Sequence, residues 1–206
     1  SLSDGWAGAQ FLVRLLPNMD GVDNAQGWES ATENLYSSFN ANDARLPVVI
    51  KRSVTYQDGT VKQFAEPYVF KYWDQEAEPK GNSTDAIFPA IRTAEMYLIK
   101  AEALNAINQG PTPDAVKAIK KVRDNFPTDF AGFQTVVLEE YRHVFVLAGH
   151  RWFDLTRMCT PQEFVDIIKA AKPDATPQLY HVKFPIPQRE RDLSQGQITQ
   201  NEGYNQ

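Results

Sequence analysis

Glu95 and Glu102 are the residues of this 206-residue chain best suited by type and spacing to acid–base chemistry. Seven positions apart, they fall on one face of a helix predicted over 91–109, two turns and roughly 10.5 Å apart along its axis. Paired carboxyl groups hydrolyse glycosidic bonds from about 5–5.5 Å with retention, or about 6.5–9.5 Å with inversion. Side chains as long as glutamate bridge the difference, so spacing alone does not exclude catalysis. Electrostatics gives a competing account. Arg92 stands three residues before Glu95, the flanking residues are apolar, and a buried carboxylate needs a partner. Ion pairing with Arg92, Arg142 or Arg151 is the preferred reading, and no residue is assigned a catalytic role.

Residues 20–28 offer a different chemistry. Asp20-Gly21-Val22-Asp23-Asn24-Ala25-Gln26-Gly27-Trp28 places an indole beside carboxylate and amide groups in a glycine-flanked loop. Sugars present apolar C–H faces ringed by hydroxyls, which an indole stacks against and Asp or Asn hydrogen-bonds, and loops on a scaffold commonly display such groups. Trp28, Asp23 and Asn24 are therefore the candidate ligand-binding residues. The same pattern also describes a loop anchored by its tryptophan. The two readings part on whether Trp28 is exposed or packs with Ala31, Leu35 and Phe39 in the helix that follows.

Other reactive residues suggest less. His143, His150 and His181 lack Cys–His spacing, so no metal site and no cofactor are expected. Lys117, Lys120, Lys121 and Arg123 form a basic stripe expected to face solvent. No phosphate-binding glycine loop, nucleophile elbow or zinc motif occurs. A net charge of -5 gives no electrostatic footprint for nucleic acid. No run approaches the roughly 18 apolar residues of a membrane span, and Cys159, the single cysteine, permits no intrachain disulfide.

Elements follow from periodicity and punctuation. Residues 1–88 form a loop-rich segment with short helices and a β-hairpin over 46–72. Leu46–Ile50 and Ser53–Tyr56 are β-branched and aromatic, Asp58-Gly59 is a hairpin turn signal, and Pro67 implies an edge strand or bulge. From residue 89 the chain is helical. The 91–109 helix carries two apolar faces, Ile91, Ala94, Leu98, Ala101 on one and Met96, Ile99, Ala103, Ala106 on the other, which predicts burial between neighbours. Gln109-Gly110 ends it. Thr112 and Pro113 open the next helix, and the pair resembles one tetratricopeptide-like unit. Further helices are expected over 134–148, capped by Gly149, over 152–157 and over 161–171. A strand is expected over 179–186. The fold class is mainly α with a small β-hairpin and irregular loops, 1–88 and 89–206 forming one structural unit.

Three segments in fixed order carry a family resemblance: Ile91-Arg92-Thr93-Ala94-Glu95-Met96-Tyr97-Leu98-Ile99-Lys100-Ala101-Glu102-Ala103, then Arg151-Trp152-Phe153-Asp154-Leu155-Thr156-Arg157, then Phe184-Pro185-Ile186-Pro187 followed by Gln200-Asn201-Glu202-Gly203-Tyr204. Over 91–204 they resemble the C-terminal half of the SusD/RagB family. Asn42-Asp43-Ala44-Arg45-Leu46-Pro47 is similar to that family's Asp-Pro-Arg-Leu-Pro segment and is read as structural, as is 151–155. Two departures stand out. Glu140-Tyr141-Arg142-His143-Val144-Phe145-Val146-Leu147-Ala148-Gly149 replaces an arginine- and glutamate-rich helix end, putting its ion pairs in doubt. Asn201-Glu202-Gly203-Tyr204 replaces Asn-Pro-Gly-Tyr.

The resemblance implies a surface lipoprotein of Bacteroidetes that binds glycans without catalysis at the outer membrane and delivers them to a SusC-like TonB-dependent transporter. It also implies that the chain is part of a longer protein, whose N-terminal half and lipid anchor lie outside it. The rival readings are a glycoside hydrolase, if two carboxylates converge in an open cleft, and a peptide- or protein-binding helical-repeat module, if an apolar concave face is exposed.

Overall fold

The computed structural model describes residues 13–20, 25–56, 58–73, 89 and 91–205, and the chain divides into two compact units at 149/150. In the first, α1 (Glu33–Ser38) is capped by the Thr32 hydroxyl, which accepts from Leu35 N at 3.1 Å. A single helical turn, α2 (Leu46–Val49), follows where a strand was expected. Asp43 sets it up by accepting from the Arg45 N–H at 2.9 Å, and Pro47 suits a first turn because it has no N–H to leave unpaired. Extended structure begins only at Ile50. Strand β1 (Ile50–Thr55) pairs antiparallel with β2 (Val61–Val69). In the turn, Gly59 takes φ +84° and Asp58 accepts from both the N–H and the hydroxyl of Thr60 at 2.9 and 2.7 Å. Lys51 pairs with Tyr68 and Ser53 with Gln63, so Arg52 alone opposes residues 64–67. This wide bulge accommodates Pro67, as its position predicted.

Three helices complete the first unit: α3 (Thr93–Asn108), α4 (Pro113–Ile119) and α5 (Phe130–Val144). Gln109 ends α3 in the left-handed conformation at φ +53°. Thr112 caps α4 by accepting from Ala115 N at 3.2 Å. Helix α5 starts four residues earlier than periodicity suggested, because Asp129 caps it through Gly132 N at 2.8 Å. Leu98, Ala101, Ile119, Phe133 and Val137 are buried together with Tyr141, and α3 packs on both α4 and α5. The fully buried Asn105 donates to the Phe130 carbonyl at 3.2 Å. A second cluster joins Ala31, Phe39, Ile50, Val69 and Val146, and a third joins Leu16, Met19, Val54 and Phe70.

The two apolar faces of α3 have different fates. The Leu98–Ala101 face is buried, while Met96, Ile99 and Ile107 are exposed. The helix is therefore not largely buried as expected, because α4 and α5 cover a single side of it.

The second unit contains α6 (Arg151–Met158), α7 (Pro161–Ala171), a 3-10 turn (Leu179–Val182) and α8 (Gln188–Leu193). Thr160 and Glu163 form a reciprocal capping box at the start of α7. Trp152 lies edge-on to Phe164 with ring centroids 5.0 Å apart and stacks on Phe184 at 4.9 Å. Asp154 is buried and paired with Arg157 at 2.9 Å. Phe153, by contrast, is exposed.

No strand forms at 179–186. The Gln178 N–H donates to His181 Nδ1 at 3.0 Å and the chain turns. Beyond the turn, the Gln200 amide replaces a partner strand. Its Oε1 accepts from Ile186 N at 2.7 Å and its Nε2 donates to Ile186 O at 3.0 Å. Asn201 Nδ2 donates to Phe184 O and the Tyr204 hydroxyl to Lys183 O, both at 2.7 Å. The Phe184–Pro187 and Gln200–Tyr204 motifs are thus hydrogen-bonded to each other.

Trp152→Ala is expected to lower stability by about 2–3 kcal/mol, short of a fully buried aromatic because Trp152 is half-buried; urea denaturation of the whole chain checks this. Gly203 has φ +89°, and a Cβ there would overlap the Tyr180 ring. Gly203→Ala should therefore cost at least about 2 kcal/mol and release the Ile186 amide, held by Gln200, to faster hydrogen exchange.

Candidate functional site

Trp28 sits ahead of α1, not inside it, and is 50% exposed. Its backbone is fastened on both sides. Gly27 N donates to Leu16 O at 2.7 Å, Trp28 N to Arg14 O at 3.2 Å, and Ala31 N to Pro67 O at 2.8 Å. Gly27 takes φ +59° against Tyr68, whose ring a Cβ would meet at 3.3 Å. The Arg14 guanidinium lies 5.1 Å from the Trp28 ring centroid. The result is an indole displayed at the surface on a fixed backbone. Asp23 and Asn24 lie outside the described residues.

The strongest electrostatic arrangement is one that sequence spacing did not reveal. Glu140, on α5, is only 1% exposed, yet two arginines reach it: Arg45 Nη1 at 2.9 Å and Arg123 Nη1 at 3.0 Å. Arg45 also clasps Asp43, with Nη2 at 2.6 Å from Oδ2. His143, one turn along, stacks on Phe39 at 4.0 Å, and its Nε2 lies 2.9 Å from the Ser38 hydroxyl. Burial pushes the Glu140 carboxyl up, but hydrogen bonds and charge from His143 and Arg45 outweigh it and hold the group below its ordinary value. The Arg45 hydrogen bond holds Asp43 down as well. Both carboxyls therefore stay ionised with their oxygens engaged, and neither can serve as a general acid. A polar pocket of about 590 Å³ opens beside them, lined also by Asn40, Asn42, Asp124 and Asn125.

This cluster explains the Asn42–Pro47 segment, whose Asp43 and Arg45 are structural as read. It also corrects two expectations. Ion pairing around 139–143 persists, since Arg142 pairs with Glu139 at 3.2 Å and donates to Asn34 at 2.7 Å. Arg123 turns inward to Glu140 and away from the stripe of exposed Lys117, Lys120 and Lys121. Arg92 does not serve Glu95. It donates to Val144 O at 3.3 Å, where Lys71 also donates at 2.9 Å, with a further bond to Val146 O at 3.1 Å. Two cations thus satisfy carbonyls at the end of α5, as a helix C-terminus favours. Burial, with the charge of Arg92, pulls the Lys71 ammonium down to about 8. Glu95 Oε2 is buried with no hydrogen-bond partner among the described residues, and neither Glu95 nor Glu102 lines the Glu140 pocket.

Comparison with known proteins places this geometry. A family model described as the SusD family matches residues 24–204. A SusD-like protein from Formosa agariphila is 30% identical over 185 residues, which cover 83% of this chain and 34% of that protein. The chain therefore spans about a third of that relative's length. A SusD superfamily protein from Parabacteroides distasonis shares the fold with a TM-score of 0.70 and 20% identity, over 95% of this chain and 47% of that one. A structure named as a laminarin-binding SusD-like protein aligns with a TM-score of 0.56 and 23% identity, over 84% of this chain and 37% of the other.

Replacing Glu140 by Gln keeps its shape but takes the counter-charge from Arg123 and leaves Arg45 with Asp43 alone. At neutral pH the variant is expected to be less stable by about 3 kcal/mol in urea denaturation. The folded Glu140 titrates below its ordinary 4.5. Its contribution is therefore complete above that pH and drains as the pH falls through the folded value. The stability gap between wild type and Glu140→Gln should therefore narrow as the solution is acidified through the folded value.

Proposed function

The chain belongs to the SusD family, and from that premise we propose that it binds extracellular glycans without transforming them, with Trp28 as a stacking platform. The observation that carries the reading is the half-exposed Trp28 indole on a backbone fastened at Gly27, Trp28 and Ala31. A large aromatic left in water on a fixed backbone suits a pyranose face, and such contacts need no mobile residue to be ordered on binding. Asp23 and Asn24 would supply hydrogen bonds to ring hydroxyls. A non-catalytic role is supported by the ionised state of Glu140 and Asp43, which removes both carboxyls as proton donors in the Glu140 pocket. In the whole protein, a lipid anchor would hold the glycan binder at the outer membrane, beside a SusC-like TonB-dependent transporter that receives the ligand.

A second reading, a module that binds peptide or protein, is favoured by the exposed apolar residues Met96, Ile99 and Ile107 of α3. It predicts that charged substitutions at Met96 and Ile99 abolish partner capture and leave glycan binding intact.

Calorimetric titration separates the two. Laminarin is the first probe, followed by a panel of other glycans. Trp28→Ala should weaken the best glycan about tenfold, the scale of one lost aromatic contact, with the melting temperature unchanged. A lowered melting temperature with intact affinity would mark Trp28 as a packing residue and remove it from the site.

A further inference from the structure

A second pocket, of about 430 Å³, lies on the hairpin and is lined by Tyr36, Lys51, Arg52, Ser53, Thr55 and Trp73 among others. Among the described residues, both charged groups in its wall are cations. Arg52 stacks over Tyr36 at 4.8 Å and pairs with the exposed Glu33, which occupies one of its five donors. Lys51 has no such relief. Its ammonium sits 4.8 Å from the Trp73 ring centroid and 5.4 Å from that of Phe70, with no carboxylate or hydrogen-bond acceptor in reach among the described residues. Burial lowers its pKa, with no opposing charge to restore it. The Trp73 indole Nε1, in the same wall, also lacks an acceptor among the described residues. Among the described residues the pocket therefore has surplus donors and surplus positive charge. A half-buried cation with no counter-charge among them costs the fold stability, only partly offset by the two rings, and local violations of this kind concentrate where something is bound.

We infer that the hairpin pocket receives the anionic substituent, a carboxylate or a sulfate ester, of an acidic saccharide, with Lys51 and Arg52 as its charge partners and Tyr36 and Trp73 as its aromatic walls. The inference rests on the glycan-binding reading and narrows its ligand class. Arg52 supplies a planar fork suited to oxyanions, and Lys51 supplies a point charge already stripped of part of its water. Ser53 and Thr55 offer hydroxyls for the neighbouring ring.

The test uses the 206-residue chain and three oligosaccharides of comparable length: an oligogalacturonate, a sulfated galactan fragment and a neutral galactan fragment. Calorimetry should show one or both acidic ligands binding at least tenfold more tightly than the neutral one. That preference should fall as salt is raised. Comparing the carboxylate and sulfate arms identifies which anion the pocket takes. Lys51→Met keeps the stem over the rings and removes the charge. It should weaken the acidic ligand about tenfold, as expected for one charge-assisted hydrogen bond, with the melting temperature unchanged or raised. Lys51→Arg should retain acidic binding, and Lys51→Gln serves should the Met variant misfold. Equal affinity for acidic and neutral ligands, or acidic affinity indifferent to Lys51→Met, overturns the inference while glycan binding through Trp28 stands. Failure of every saccharide to bind overturns the glycan-binding reading itself, and this inference with it.

Discussion

A single carboxylate holds together the polar interior of the first unit. Glu140 accepts from Arg45, which precedes the hairpin, and from Arg123, which follows α4. Two separate stretches, 95 and 17 residues away, thereby converge on one turn of α5. The arrangement is costly to desolvate and strong only when complete, because either arginine alone would leave one buried carboxylate oxygen without its donor. Asp43 completes it by fixing the plane of the Arg45 guanidinium through Nε and Nη2. The same residue initiates α2, so the ion-pair geometry and the turn that delivers the chain into β1 depend on one side chain. The hairpin, its pocket and the Trp28 segment bonded to Pro67 are all placed relative to that point.

Surface chemistry and buried chemistry are separated accordingly. Within the helices of this unit, charge is neutralised and oriented: Glu140 by two arginines, the end of α5 by Lys71 and Arg92. Around the hairpin, aromatic rings lie beside cations, Trp28 by Arg14 and Trp73 by Lys51. This division suits a protein that holds a ligand: the charge on α5 is paired within the scaffold, and rings and cations are set together around the hairpin.

Legibility from sequence followed the range of the interactions. Helix starts written locally were readable, such as Thr112-Pro113 and the Pro161 start of α7, and so was the Asp58-Gly59 turn. Leu46–Val49 was misread because a four-residue apolar run has no period that distinguishes a strand from a turn of helix, and Asp43 decided it from outside the run. The 179–186 segment was misread because its backbone partner is the side chain of Gln200, which no alternation pattern encodes. The two faces of α3 were visible, but periodicity shows which residues are apolar and not what covers them. The Glu140 cluster was hidden for the same reason, its arginines lying 95 and 17 residues away. At the candidate site, the composition around Trp28 was readable and its exposure was not, while Asp23 and Asn24 lie outside the described residues.

The pairing of Lys71 and Arg92 on the Val144 carbonyl has a bearing on how such a chain changes over evolutionary time. These two residues bracket 72–91, twenty positions, and both ends are tied to one acceptor atom. A span whose two flanking residues share one acceptor keeps its ends together whatever its length. The entropy of closing it rises only logarithmically, about 0.6 kcal/mol for each doubling. Insertions and deletions between the two cations are therefore cheap, whereas losing either cation exposes the helix end it serves. With both cations kept, a change in the number of residues between them need not re-register the hairpin against the helices.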